Sequence, residues 1–187
     1  MSSSFSPRAV DLRVLAREAA TLTRTDLLTN HPRLAEEAVG DLAGLSLHWT
    51  ARGEMLPGAS GDAEVWLHMA IEAVLPLTCQ RCLAPVDVAL QVDRSFRFVA
   101  DEATAAEQDD ASEEDVLALA PEFDLPALVE DELLMALPIV PRHERCTAAR
   151  SAKAAQDVAL APDGPPEKPN PFAVLAALRT GKAEKSN

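Results

Sequence analysis

The three cysteines of this 187-residue chain fall in two short clusters, Cys79-Gln80-Arg81-Cys82 and His143-Glu144-Arg145-Cys146. Together the clusters offer three sulfurs and one imidazole nitrogen, a complete tetrahedral set of the kind zinc favours. With four protein ligands no coordination position is left for water, so a zinc held by Cys79, Cys82, His143 and Cys146 is expected to be structural rather than catalytic. Two other readings of the same residues stand beside it. One makes Cys79 and Cys82 small apolar residues of a tight turn, with His143 on the surface. The other makes the CxxC a redox pair, which needs a thiolate activated at a helix N-terminus in a βαβ setting. Sixty residues separate Cys82 from His143. Closing so long a loop is affordable because the entropy cost rises only with the logarithm of its length.

The elements that must position the two clusters are legible as changes of period. Leu45, Leu47 and Trp49 alternate with polar residues, as do Val65, Leu67, Met69 and Ile71, and both stretches read as strands with one buried face. A third strand places Val86, Val88, Leu90, Val92, Phe96 and Phe98 on one face, which only Arg94 interrupts. Short connections between consecutive strands predict an antiparallel meander. Gly53, Pro57, Gly58 and Gly61 mark its first connection, and Pro76 to Pro85 its second, which sets the CxxC at a hairpin tip. Val116 to Leu119 reads as one further short strand.

Helices flank this sheet. Ser6-Pro7 reads as a cap and first helical residue, with Leu12, Leu15, Ala16 and Ala19 at helical spacing, which predicts a helix over 7–20. The pattern from Thr21 to Gly40 is weaker, with a helical turn over Leu34 to Val39. Asp124 caps a helix with the stripe Leu125, Leu128, Val129, Leu133, Ala136 and Leu137; Glu130 and Asp131 fall on its wet side and serve its dipole. Pro138 ends that helix and, with Pro141, stiffens the chain that delivers His143 and Cys146. Thr147 to Lys168 reads as a linker, and Asn170-Pro171-Phe172 opens a short docking helix stopped by Gly181. The expected architecture is α+β: one domain over 1–146, an antiparallel meander with flanking helices, then an extended C-terminal tail over 147–187.

The net charge of −13 is concentrated. Between Arg97 and Arg142 there is no Lys or Arg but thirteen acids, and the other seventeen acids balance the seventeen basic residues. Within that interval Ala100 to Asp115 lacks periodicity and large apolar residues and reads as a mobile acidic loop. A run of this kind is either a solvated loop or a contact surface for a basic partner. No GxSxG, HExxH, P-loop or GxGxxG pattern occurs, and His31, His48 and His68 are isolated, so no enzyme is expected. The longest apolar stretch, Val65 to Leu77, is interrupted by His68 and Glu72 and is short of a membrane span. The odd cysteine count argues for reduced thiols, and the chain reads as cytoplasmic.

One set of residues resembles a known family. Leu77-Thr78-Cys79-Gln80-Arg81-Cys82-Leu83, then Asp124-Leu125 with Val129-Glu130-Asp131-Glu132-Leu133, then Leu137-Pro138, Pro141-Arg142-His143 and Cys146 resemble the YceD family of large ribosomal RNA subunit accumulation proteins. The resemblance runs over Leu75 to Cys146, with Asn170-Pro171-Phe172 similar to a short tail motif. It implies a non-enzymatic factor in large-subunit ribosome biogenesis that supports synthesis, processing or stability of 23S ribosomal RNA, with ribosomal RNA, large-subunit ribosomal proteins or assembly factors as partners. The acidic, aromatic-poor composition argues against direct RNA binding through residues 98–141. An adaptor whose acidic interval meets a basic ribosomal protein satisfies both observations. RNA contact through Arg81, Arg94, Arg97, Arg142, Arg145 and Arg150 is the competing route. A small zinc-binding or redox CxxC protein unrelated to ribosomes is the remaining alternative.

Overall fold

The computed structural model describes residues 6–58 and 61–146. Alternating apolar residues build a five-stranded sheet in the order β1-β2-β3-β4-β5, from β1 (Thr21–Leu27), β2 (Ser46–Pro57), β3 (Ala63–Thr78), β4 (Pro85–Val99) and β5 (Asp115–Ala118). The first four strands form the expected antiparallel meander. Register makes one apolar face continuous: Trp49 pairs with Ile71 and Ile71 with Val92, Gly53 with Leu67 and Leu67 with Phe96. Helices α1 (Leu12–Arg17), α2 (Pro32–Glu37) and α4 (Leu125–Met135) contribute Leu12, Leu15, Leu34, Leu125, Val129 and Leu133 to the same core. Among the described residues no helix is long and apolar enough to cross a membrane. The expected linker, docking helix and tail, and Arg150, lie outside the described residues.

Several boundaries differ from expectation. Helix α1 starts at Leu12, not Pro7, because Asp11 is its cap and accepts the amides of Arg13 and Val14. Strand β1 lies in the stretch read as weak; one face carries Thr21, Thr23 and Thr25 and the other Arg24, all exposed at the sheet edge, so no apolar alternation marks it. Strand β5 pairs parallel to β4 rather than extending the meander. A parallel neighbour needs a crossover, and the segment read as a loop supplies one in α3 (Glu102–Asp109), capped by Asp101. Arg97 fastens α3 to the sheet through Gln108 at 2.7 Å and Ser112 at 2.9 Å, while the Asp109 carboxylate accepts the Val116 amide that opens β5.

Gly53 is not a turn residue either. It lies within β2, where a Cβ atom would stand 2.7 Å from the Ala16 nitrogen and the Leu15 carbonyl carbon. Its amide donates to the Ala20 oxygen at 3.0 Å, so the end of α1 is pressed onto bare strand backbone. Backbone on both sides cannot step aside, and Gly53→Ala is expected to cost about 2 kcal/mol or more. A denaturant titration checks this, and an unchanged midpoint would refute the close approach.

Helix α4 carries the largest correction. Glu130 is buried, not on the wet side. Its Oε1 accepts the amides of Arg33 at 2.7 Å and Leu34 at 3.2 Å, and its Oε2 accepts the Arg33 guanidinium at 2.9 Å. Those amides are the unsatisfied donors at the start of α2, so Glu130 caps a different helix from the one that carries it. Asp131 takes the other arm of Arg33 at 2.6 Å. Glu132 is also buried, and burial raises its pKa against the opposing pull of Arg94. Arg94, the charge that breaks the apolar face of β4, is held there by Asp115 with Glu132 at 3.9 Å.

Candidate metal centre

The tip between β3 and β4 is a tight knuckle built by its own backbone. The Cys79 amide donates to the Ala84 oxygen at 3.0 Å, and the Leu83 amide to the Cys79 oxygen at 2.8 Å. Leu83 pays for the turn with a φ of +59°, a left-handed conformation that costs a β-carbon residue about 1–2 kcal/mol. The second cluster arrives on the extended segment after α4, whose Pro141 oxygen accepts the Gln80 amide at 2.9 Å. That bond fixes the two clusters side by side.

All four predicted ligands meet. The sulfurs of Cys79, Cys82 and Cys146 and a nitrogen of His143 all lie within 4.8 Å of one another. Cys79 Sγ is 3.7 Å from Cys146 Sγ, Cys82 Sγ is 3.4 Å from His143 Nδ1, and Cys146 Sγ is 4.0 Å from the same nitrogen. Ordinary zinc bond lengths and tetrahedral angles put sulfur–sulfur edges at about 3.8 Å and sulfur–nitrogen edges at about 3.6 Å. These three edges have the dimensions of a coordination shell before any ion is placed among them. No oxygen ligand is among the four, so the donor set suits a soft or borderline ion and not magnesium or calcium.

The electrostatics favour a thiolate here. Burial opposes ionisation of Cys79, but the amides of Cys82, His143 and Arg81 together with the His143 side chain outweigh it and bring the thiol down to about 5. Burial and the neighbouring sulfurs of Cys79 and Cys82 push Cys146 up. Three sulfurs this close cannot all hold a negative charge unless a cation joins them. The redox reading needs a helix N-terminus at the CxxC, whereas β3 and β4 flank it. The core-residue reading explains buried Cys79 but not half-buried Cys82, nor the approach of His143 and Cys146.

The other candidates resolve into structure. His48 meets Thr25 at 2.7 Å, and His68 bridges Ser95 and Glu54 across the outer face of the sheet. Arg94 and Arg97, offered as RNA contacts, are occupied by Asp115 and by Glu64, Gln108 and Ser112. Arg81, Arg142 and Arg145 remain exposed beside the four ligands. His31, set aside from the sequence as an isolated histidine, is 2% exposed and its Nε2 has no hydrogen-bond partner. The adjacent Pro32 was the available signal that this histidine stands at the start of a helix, α2.

Comparison with known proteins agrees with the motif. No solved structure matches the chain. A curated relative from Haemophilus influenzae, described as large ribosomal RNA subunit accumulation protein YceD, is 36% identical over 111 residues, covering 58% of this chain and 62% of its own length. The chain therefore spans about three fifths of that relative. The family model described as large ribosomal RNA subunit accumulation protein YceD matches residues 67–179, which takes in the whole hairpin tip, α4 and both ligand clusters. On that match, the chain belongs to the YceD family.

Proposed function

We infer that the protein is a non-enzymatic factor supporting accumulation of the large ribosomal RNA, in which a structural zinc held by Cys79, Cys82, His143 and Cys146 locks the hairpin tip to the segment after α4, and an acidic face meets a basic ribosomal protein or assembly factor. The observation that carries the adaptor role is a division of labour among the acids. Asp101, Asp109, Asp115, Asp124, Glu130 and Asp131 take hydrogen bonds or ion pairs inside the domain. Glu102, Glu107, Asp110, Glu113 and Glu114 are exposed on α3 and its exit, with no partner among the described residues. Like charges left unpaired on an anchored element destabilise the free molecule slightly and steer a cationic partner.

Neutralising those five carboxylates is expected to abolish salt-sensitive capture of basic large-subunit proteins while leaving the unfolding temperature within a degree or two of the parent. Capture that survives the change would end the adaptor reading. Asp109 and Asp115 are kept in this design because they hold β5. A second route has one observation in its favour: Arg81, Arg142 and Arg145 are exposed together at the ligand clusters. Crosslinking that recovers ribosomal RNA on these arginines, with the acidic variant unaffected, would favour direct contact instead.

A further inference from the structure

On the side of the molecule where β1 runs into α2, a cavity of about 260 Å³ opens beside α4. Its polar lining is Ser6, Arg8, Arg24, Asp26, Asn30 and His31. His31 is nine-tenths buried and more, yet its Nε2 has no hydrogen-bond partner and stands 3.9 Å from Asp26 Oδ2, beyond hydrogen-bonding range. A buried ring nitrogen left unpaired costs free energy and, being closed to solvent, marks this wall of the cavity as strained without itself contacting a solute. Arg8 and Arg24 make no ion pair with any described residue, in a protein whose net charge is −13. Two unpaired guanidinium groups converging on one cavity are the donors with which proteins hold oxyanions.

The lining also says which oxyanion. Two guanidinium forks, the Asn30 amide and the Ser6 hydroxyl offer more donors than the two oxygens of a carboxylate can accept. Asp26 is the discriminating group. Its Oδ2 is held by Trp49 Nε1 at 2.7 Å, while Oδ1 receives no hydrogen bond from the described residues. A fixed carboxylate acceptor repels an anion that carries no proton. It accepts from one that does, and inorganic phosphate or a phosphate monoester, whose second pKa is about 6–7, retains a P–OH over part of the neutral range, whereas sulfate has none. At about 260 Å³ the cavity is smaller than the usual pocket for a whole cofactor, so it suits one group of a ligand or a small ion.

We propose that this cavity is a phosphate site, taking inorganic phosphate or the terminal phosphate of a nucleotide, with Arg8 and Arg24 as the charge clamp and Asp26 as the acceptor that selects a protonated oxyanion. The site is independent of the ribosomal reading, and the failure of either leaves the other standing.

Calorimetric titration of the full chain at fixed ionic strength, with inorganic phosphate, adenosine 5′-monophosphate and sulfate as separate titrants, tests it. Phosphate and the monophosphate are expected to saturate one site, with sulfate at least tenfold weaker. Equal affinity for the two phosphates identifies the free ion as sufficient, and tighter monophosphate binding identifies a nucleotide end; both uphold the site. Arg8→Gln and Arg24→Gln, exposed changes that leave the unliganded unfolding temperature unaltered, are each expected to weaken phosphate at least tenfold. Asp26→Asn is expected to erase the preference over sulfate. No saturable binding of either phosphate, sulfate binding as tightly as phosphate to the parent, or both arginine variants binding like the parent would overturn the proposal.

Discussion

Stripping the metal from the full chain with a strong chelator, or replacing Cys79 by serine, is expected to lower the unfolding temperature by roughly 8–16 °C. The size follows from linkage. An ion that binds only the folded state, present a thousandfold above its dissociation constant, adds about 4 kcal/mol. For a chain of this length each kcal/mol is worth roughly 2–4 °C. The loss should not be uniform. The hairpin tip and the segment after α4 are joined by the backbone bond from Gln80 to Pro141, and Leu83 sits there at a φ of +59°. Hydrogen exchange should therefore rise first around Cys79 to Ala84 and Pro141 to Cys146, while β2 and β3 stay protected. Restoring zinc should reverse the change in the parent and not in Cys79→Ser. An unfolding temperature indifferent to chelator and to Cys79→Ser would remove the clamp from this account.

Glu130→Ala is expected to cost about 2–3 kcal/mol, a fall of roughly 4–12 °C. Two amides at the start of α2 lose their acceptor, which is the loss of a helix cap compounded by burial. The guanidinium of Arg33 adds little, because its side chain is half exposed and water replaces its partner. Glu130→Gln keeps one acceptor oxygen and should fall between the two. The pH dependence has a definite sign. Burial resists ionisation of Glu130, but the Leu34 and Arg33 amides and the Arg33 guanidinium overcome it and hold the pKa below 4.5. Its contribution is full above the ordinary carboxylate value and is lost as pH falls through the lowered folded value. Thermal scans across acidic pH should show a shallower acid limb in Glu130→Gln than in the parent. Coincident limbs, or an unchanged midpoint for Glu130→Ala, would contradict the cap.

What the sequence made legible was local. Alternation in β3 and β4, the Asp124 cap with Pro138 as stop, and the hairpin position of Cys79 and Cys82 each depend on residues a few places apart. The candidate ligand set was legible because cysteine and histidine at paired spacing carry their chemistry in their identity. Their proximity was legible only as an inference from type, and the structure supplies the bond from Gln80 to Pro141 that accounts for it.

The misreadings share a cause, which is that the deciding neighbour is remote. Gly53 resembles a turn glycine until α1 is laid against it. Glu130 resembles a dipole-complementing acid, yet its partner Arg33 is 97 residues away. Edge strand β1 buries too little to show a period, and threonine recurrence at 21, 23 and 25 was its only trace. Arg94 was noticed as a defect in an apolar face. A buried carboxylate opposite it, Glu132, is what such a defect should have predicted.

The central claim is that the two cysteine clusters form one closed metal centre, and the zinc-to-protein ratio of the purified full chain, measured with the thiol reactivity of the same sample, tests it most directly. The account predicts a ratio near one, three thiols that react only after chelation, and a ratio near zero for Cys79→Ser. A ratio near zero in the parent, with all three thiols reacting freely, would contradict it.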